Sequence, residues 1–246
     1  MDVLFSLGLT EATEVLVWMR AMPPHVRVPL MHTVKRLGSP SQVLTTGCSA
    51  GGLATFIHAD AVGEMVRAKA PGLTSYKAAA LSGFFPTSIP SLATGTLVYA
   101  DQIQAAHELH NATGHSGCLA ALRDKTEAWR CQTAEGVYPH VKSPIFVVNS
   151  VYDAWALACI FTATPVAPGR TVNRGVLING NCSQAPGWEK CAAFGVLVPP
   201  SKCAPSQINA MNRWRSRVLD LIQNTATYHT VGNGAFLHSC HAWLCA

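Results

Sequence analysis

The sequence TTGCSAGG, at residues 45–52, constrains the fold more than any other part of the chain. The segment SQVLTT, which leads into it, predicts a β-strand over residues 41–46. The segment that follows, residues 51–70, predicts a helix, because its apolar residues recur every three to four positions. A G-x-S-x-G motif between a strand and a helix is typical of a nucleophilic serine on a sharp turn, here Ser49. The alternative is a solvent-facing serine in an ordinary turn.

A serine hydroxyl is a weak nucleophile unless a base takes its proton and the turn exposes it to an acyl carbon. Gly47 and Gly51 allow the strand and the helix to approach closely around Ser49. The backbone N–H that follows the serine, that of Ala50, then points to the place where negative charge develops on the carbonyl oxygen. Ala50 is therefore the candidate oxyanion donor, with Gly51 as the second candidate.

The remaining patterns predict an α/β fold, with a mostly parallel sheet, flanking helices and disulfide-rich loops. SPIFVVNS, at residues 143–150, is the clearest strand, because an uninterrupted apolar run is typical of a parallel strand covered on both faces. Shorter strands are predicted at residues 76–83 and 234–240, and helices at residues 26–38, 96–110 and 205–223, the last with Ser206 near its N-cap.

Nine cysteines are many for a cytosolic enzyme, and their spacing lacks the CxxC pairs of a zinc site. Disulfides are therefore the favoured interpretation, although their pairing cannot be derived from the sequence. Cys118 and Cys131 lie in polar sequence, so we expect residues 111–140 to form a disulfide-closed excursion from the core. A less favoured interpretation is a metal site made by the C-terminal residues His238, Cys240, His241 and Cys245.

The net charge of +5 comes from scattered residues and does not form the dense basic patch of a nucleic-acid-binding protein. No segment is long and apolar enough to span a membrane. The start of the chain lacks the basic residues and the apolar core of a signal peptide. Because the cysteines indicate secretion, we expect a secreted monomer, in the cell wall or outside the cell, whose N-terminal part is missing.

Asp153 is the candidate acid, because it follows the strand predicted at residues 143–150. In α/β-hydrolases the acid lies in a loop after a late strand and orients a histidine, and the triad members follow the chain order serine, acid, histidine. The chain has this order if a C-terminal histidine completes the set. The alternative is that Asp153 only caps a turn or a helix.

Four segments occur in the same order as landmarks of the pectin acetylesterase family: LTTGCSAGGLATFIHAD, SPIFVVNSVYDAW, CAPSQI and GAFLHSCHAW. The chain resembles this family, which includes the Notum-like carboxylesterases, over about residues 36–246. The resemblance implies an α/β-hydrolase fold, a Ser-His-Asp triad and removal of ester-linked acyl groups from glycans or proteins, without a cofactor. By position, Ser49 corresponds to the family's nucleophile and Asp153 to its acid.

The chain departs from the family's pattern at two places. The family's histidine falls three residues after a cysteine, but the residue at that distance from Cys240 is Trp243, which cannot accept a proton. His241 is therefore our candidate base, with His238 as the less favoured alternative. The family also carries a glycine-rich stretch that supplies further oxyanion donors, and residues 1–46 contain none.

The sequence thus predicts one α/β-hydrolase-like domain over residues 1–246, N-terminally truncated, with an atypical segment at residues 1–35. It predicts a serine carboxylesterase that hydrolyses acyl esters, acetyl above all, on a polysaccharide. The triad would be Ser49, Asp153 and His241, and Trp155 would line the substrate pocket unless it is part of the core. The alternatives are an inactive relative that only binds through its pocket, and a Notum-like deacylase of a lipidated protein.

Overall fold

The computed structural model of the protein describes residues 2–7, 15–20, 41–164, 184–192 and 200–239. Within them, β1 (Asp2–Leu7) and β2 (Val15–Arg20) pair as an antiparallel two-stranded sheet. A second sheet has four parallel strands in the order β3-β4-β5-β6. These strands are β3 (Gln42–Cys48), β4 (Ser75–Leu81), β5 (Ile145–Ser150) and β6 (Gly234–His238). The helix predicted at residues 26–38 lies outside the described residues.

Helices connect the parallel strands, as such connections require. The α-helices of the described residues are α1 (Ala50–Lys69), α2 (Val98–His110), α3 (Ser116–Ala121), α4 (Ala134–Val137), α5 (Ala154–Ala156) and α6 (Pro205–Gln223). Tighter helical turns cover Lys125–Gln132, Tyr138–His140 and Pro200–Lys202, and α5 continues into a π-helical turn at Leu157–Phe161. None of the helices in these described ranges is both long and apolar enough to cross a membrane.

The core lies on the face of the parallel sheet that packs against α1. Alternate strand residues such as Ala78, Ile145 and Val147 are fully buried there, because successive side chains of a strand point to opposite faces. Phe56 of α1 makes edge-to-face contact with the Tyr138 ring, with ring centroids 5.6 Å apart. Burying an aromatic side chain of this kind stabilises the fold by roughly 1.5–3 kcal/mol.

The opposite face of the sheet carries exposed apolar side chains. Phe146 of β5 is 44% exposed and Phe236 of β6 is 58% exposed. The prediction that both faces of residues 143–150 are covered is therefore wrong for the part of the chain that the structure describes. In the register of the sheet Phe146 lies between Ala79 and Gly234, and a methyl group on one side and no side chain on the other cover little of its ring.

The segment at residues 111–140 is closed by the disulfide Cys118–Cys131, which confirms that expectation. It is not an excursion from the core, however, because Cys131 and Tyr138 are both fully buried. His115, at the N-cap of α3, is also buried, and its Nε2 lies 3.1 Å from Asp60 Oδ2 of α1. Polar sequence predicted a loop here because local pattern does not show that a distant carboxylate supplies a partner.

Helix α6 has the bounds that its apolar spacing predicts, residues 205–223. Its N-cap is Ala204, so the prediction of Ser206 as N-cap is wrong. Pro205 occupies the first helical position, where its missing N–H costs nothing. The Ala204 N–H donates instead to Gln207 Oε1 at 2.9 Å.

Candidate active site

Ser49 lies on the turn that joins β3 to α1, where its φ is 58° and its ψ is −120°. A positive φ is uncommon outside glycine and costs roughly 1–3 kcal/mol, so the surrounding structure must hold this backbone in place. The Ser49 N–H donates to the Leu81 carbonyl at 2.9 Å, and the Ser49 carbonyl accepts from Leu53 N–H at 3.0 Å. These bonds fix the serine at the carboxyl end of the strand, as the motif predicts.

Close backbone contacts explain the glycines around this turn. A Cβ atom on Gly47 would overlap the Gly51 carbonyl, which confirms that these two glycines let β3 and α1 approach closely. A Cβ atom on Gly52 would overlap the Leu81 carbonyl, and one on Gly83 would overlap the Gly52 backbone. Sequence reasoning missed the roles of Gly52 and Gly83, although the doublet after Ala50 in TTGCSAGG is a signal for a second close contact.

The first turn of α1 carries the candidate oxyanion donors Ala50 and Gly51. The N–H groups of a helix's first turn have no partner within the helix and lie at the positive end of its dipole. The first turn of α1 holds no acidic side chain that would weaken this positive potential. Negative charge that develops beside Ser49 would therefore be stabilised there.

Asp153 follows β5 and caps the short helix α5, so its sequence-predicted position and its capping alternative are both observed. Its side chain is 2% exposed, and its Oδ1 accepts from Ala156 N–H at 2.8 Å. Its Oδ2 is buried and has no hydrogen-bond partner among the described residues. Burial raises the pKa of this carboxyl group to about 6, against two backbone hydrogen bonds that lower it. An unpartnered buried oxygen of this kind favours a donor nearby.

The sheet topology places Ser49 and Asp153 at one edge. Both follow the carboxyl ends of parallel strands, β3 and β5, and only β4 lies between those strands. His238 ends the next strand, β6, where it pairs in register with Ser150 and its carbonyl accepts from Val151 N–H at 3.0 Å. His241 lies three residues further along the chain, outside the described residues.

Trp155 lies two residues beyond Asp153 and is half-buried. Its ring centroid is 4.9 Å from that of Phe85 and 5.7 Å from that of Tyr99, both in edge-to-face geometry. Burial raises the pKa of Tyr99, so its hydroxyl stays protonated. The three rings form an aromatic cluster beside the candidate acid, and the partial exposure of Trp155 leaves it able to contact a ligand.

The cysteines of the described residues are oxidised rather than arranged for metal. Disulfides join Cys118 to Cys131 and Cys191 to Cys203. Cys48, directly before Ser49, is disulfide-bonded as well, as is Cys159. No group of three or more metal-binding side chains occurs in the described ranges, and three of the four residues of the C-terminal set, Cys240, His241 and Cys245, lie beyond them.

Two polar residues at this edge carry no obvious sequence signal. Ser82, directly after β4, has a φ of 45°, so two of the three described non-glycine residues with positive φ lie at this edge. Asn149, near the end of β5, is 2% exposed and bonds to backbone on both sides. The only hint in the sequence is that polar residues end an otherwise apolar run.

A parallel sheet with a strained serine between a strand and a helix, and an acid two strands away, defines the α/β-hydrolase class. The Pectinacetylesterase family model matches residues 26–245, and the chain belongs to this family.

Curated relatives and solved structures agree with this assignment. Pectin acetylesterase 7 of Arabidopsis thaliana is 23% identical over 210 residues, which are 85% of this chain and 45% of that protein. Pectin acetylesterase 5 of the same plant is 25% identical over 211 residues, 84% of this chain and 41% of the relative. The chain thus spans less than half the length of these two relatives.

The Wnt deacylase Notum from Drosophila has a similar fold. Its crystal form I superposes with a TM-score of 0.57 at 17% identity, covering 89% of this chain and 50% of that chain. Crystal form II gives a TM-score of 0.54 at 16% identity. At this identity the likeness concerns the α/β-hydrolase fold.

Proposed function

We propose that the protein is a carboxylic ester hydrolase in which Ser49 is the nucleophile, His241 the base and Asp153 the residue that orients the base. One observation carries the proposal: Ser49 occupies a positive-φ turn between β3 and α1, directly before the amides of a helix N-terminus. This is the arrangement in which a hydroxyl projects towards an acyl carbon and an oxyanion is stabilised at the same time.

The reaction would run in two halves. Ser49 Oγ attacks the ester carbonyl carbon while the imidazole takes its proton, and the Ala50 and Gly51 N–H groups stabilise the oxyanion. The imidazolium returns that proton to the departing alcohol, which leaves an acyl group on Ser49. Water then attacks this acyl-enzyme, the imidazole again takes and returns a proton, and the carboxylic acid leaves with the serine regenerated.

Asp153 Oδ2, which has no partner among the described residues, supports the role of orienting acid. A buried carboxylate accepts a charge-assisted hydrogen bond from an imidazole N–H, which fixes the tautomer and stabilises the imidazolium. The segment that follows β6 is the place for that imidazole, because β6 is the neighbour of β5 in the sheet. His241 lies on this segment.

We propose acetyl esters on a polysaccharide as the substrate, since the curated relatives are named pectin acetylesterases. Trp155 would contact the substrate beside Asp153. A secreted location, outside the cell or in the cell wall, fits the disulfide-bonded cysteines, because disulfides persist in oxidising compartments. Two alternatives are an inactive binding protein, which Trp243 at the family's histidine position favours, and a deacylase of a lipidated protein.

Turnover of p-nitrophenyl acetate by the purified chain tests the proposal. We expect Ser49→Ala to reduce the rate to that of the uncatalysed reaction, and a fluorophosphonate probe to label the wild type but not this variant. Ser216→Ala is the matched control, because Ser216 is an exposed serine of α6 that bonds only its own helix. Equal rates and equal labelling for wild type and Ser49→Ala would leave only the binding-protein alternative.

A further inference from the structure

Asn149 takes the place of a strand partner at the point where β4 and β5 separate. The ladder between these strands ends at the pair Leu81 and Val148, and one more bond runs from Ser82 N–H to the Val148 carbonyl at 2.7 Å. The positive φ of Ser82 then turns the chain away. Beyond that turn the Phe84 N–H donates to Asn149 Oδ1 at 3.1 Å, so a side chain replaces the missing backbone acceptor.

The turn that Asn149 holds is the support of the candidate nucleophile. Leu81 accepts the Ser49 N–H, and Gly83 lies against the Gly52 backbone in the first turn of α1. A shift of the turn at residues 81–84 would therefore move Ser49 and the first-turn amides together.

The other end of the same amide group acts on the acid's side. Asn149 Nδ2 donates to the Ser150 carbonyl at 2.9 Å, and Ser150 Oγ accepts from Tyr152 N–H at 3.1 Å at the start of the loop that carries Asp153. The buried side chain of Asn149 thus bonds to the turn at residues 81–84, which contacts Ser49 and α1, and to the backbone that leads to Asp153. The amide makes both bonds without a change of protonation, whereas an ionised carboxylate cannot donate and an ammonium cannot accept.

We propose that Asn149 is a positioning residue that fixes the separation between Ser49 and Asp153. The inference rests on the proposed function. It predicts that loss of the Asn149 amide lowers kcat with little change in KM, because a displacement of about 1 Å between reacting groups costs roughly 100-fold in rate.

Asn149→Leu, Asn149→Asp and Tyr76→Phe test this proposal with p-nitrophenyl acetate as substrate. Asn149→Leu removes both bonds, and we expect kcat to fall roughly 100-fold with KM changed less than about threefold. Tyr76→Phe is the matched control. It removes a buried hydrogen bond of the same sheet, from Tyr76 Oη to the Ala59 carbonyl at 2.8 Å, away from the edge with Ser49. We expect it to lower the thermal midpoint while leaving kcat unchanged.

Asn149→Asp supplies a readout that a merely structural role would not give. A protonated carboxyl group can accept from Phe84 N–H and donate to the Ser150 carbonyl, whereas the ionised form can only accept. The kcat of Asn149→Asp relative to wild type is therefore expected to rise as the pH is lowered, and burial of the new carboxyl group brings this rise into the measurable range.

The outcomes separate the two proposals. Wild-type kcat in Asn149→Leu, or a loss no larger than that of Tyr76→Phe, would overturn the role of Asn149 and leave the esterase proposal standing. A pH-independent ratio for Asn149→Asp would also count against it. If the wild type itself has no Ser49-dependent turnover, the proposed function fails, and the role of Asn149 fails with it.

Discussion

Ser49 and Asp153 lie at the same edge of one sheet, but the polar groups of the two residues differ in how fully they are hydrogen-bonded. Around Ser49 the backbone is held by hydrogen bonds to Leu81 and Leu53 and by contact between glycine backbones. Around Asp153 a buried carboxyl group has one oxygen bonded to Ala156 N–H, and its other oxygen has no partner in the described residues. Folding alone therefore secures the nucleophile's turn, whereas the acid needs a further group to offset its burial.

The proposed function and the stability of the fold conflict at Asp153 and not at Ser49. The strained backbone of Ser49 is held by hydrogen bonds and glycine backbone contacts that form as the fold forms. The turn therefore needs no further group to be stable. The raised pKa of Asp153 means that its charged form costs stability until an imidazolium faces it. The pairing of Asp153 with an imidazole is thus the part of the proposed mechanism that most needs an experimental test.

The largest effect should separate His241 from His238. If His241 is the base, His241→Ala lowers kcat for p-nitrophenyl acetate by about 10⁶-fold, because a triad loses nearly all its advantage without its base. His238→Ala should lower kcat less than about tenfold, since His238 lies within β6, where it pairs in register with Ser150 and its carbonyl accepts from Val151 N–H. The reverse pattern in the measured rates would transfer the base to His238.

Asp153→Asn should have the next largest effect. The amide keeps the size of the side chain and the bond to Ala156 N–H, but it cannot hold the imidazole in the required tautomer, so kcat should fall by about 10⁴-fold. Steady-state kinetics at pH 8 measure this loss. A variant with more than a tenth of the wild-type kcat would mean that the carboxylate does not orient the base.

The same variant reports on the buried charge. The folded-state pKa of Asp153, about 6, is above its ordinary value of 3.8, so the folded state binds more protons between these values than the unfolded state does. This carboxyl group therefore lowers stability as the pH rises from about 4 to about 6, by roughly 3 kcal/mol in all. In the background of His241→Ala, which removes the proposed imidazolium, urea unfolding at several pH values should show this component with Asp153 and not with Asp153→Asn; parallel curves would refute it.

The smallest expected effect is a change in stability, and it tests the close backbone contact next to Ser49. Gly52→Ala should destabilise the fold by roughly 1–3 kcal/mol, because the new Cβ meets the Leu81 carbonyl and this overlap outweighs the higher helix propensity of alanine, about 1 kcal/mol. Gly72→Ala is the control, since a Cβ at this exposed glycine meets no atom within 4 Å. Thermal unfolding of both variants checks the difference. Equal midpoints would show that the backbone around Gly52 and Leu81 can shift to accept the new Cβ atom.

Several features of the molecule were predictable because they depend on local pattern. The segment at residues 205–223 was predicted as the helix α6 with the observed bounds, and the G-x-S-x-G motif placed Ser49 between β3 and α1. The resemblance to the pectin acetylesterase family agrees with the family match over residues 26–245. The single-domain division and the catalytic, oxyanion and substrate-binding roles assigned to the site residues stay predictions; these residues are Ser49, Ala50, Gly51, Asp153, Trp155 and His241.

The errors arose where a distant residue decides the outcome. β4 ends at Leu81, two residues earlier than predicted, because Ser82 turns the chain and Gly83 packs on α1. Phe146 is exposed because its cross-strand neighbours, Ala79 and Gly234, are small. His115, in a segment predicted as a polar loop, is buried because Asp60 of α1 supplies its partner.

Local sequence patterns were enough to predict the order of strands and helices and the types of side chain at the site, because periodicity and glycine spacing act over a few residues. Pattern along the chain could not show that Ser49 has a strained backbone, that Asp153 is buried with one oxygen unpartnered among the described residues, or that Asn149 bonds to backbone on both sides. The reason is physical: burial, desolvation and hydrogen bonds between residues far apart in the chain exist only after the strands have paired.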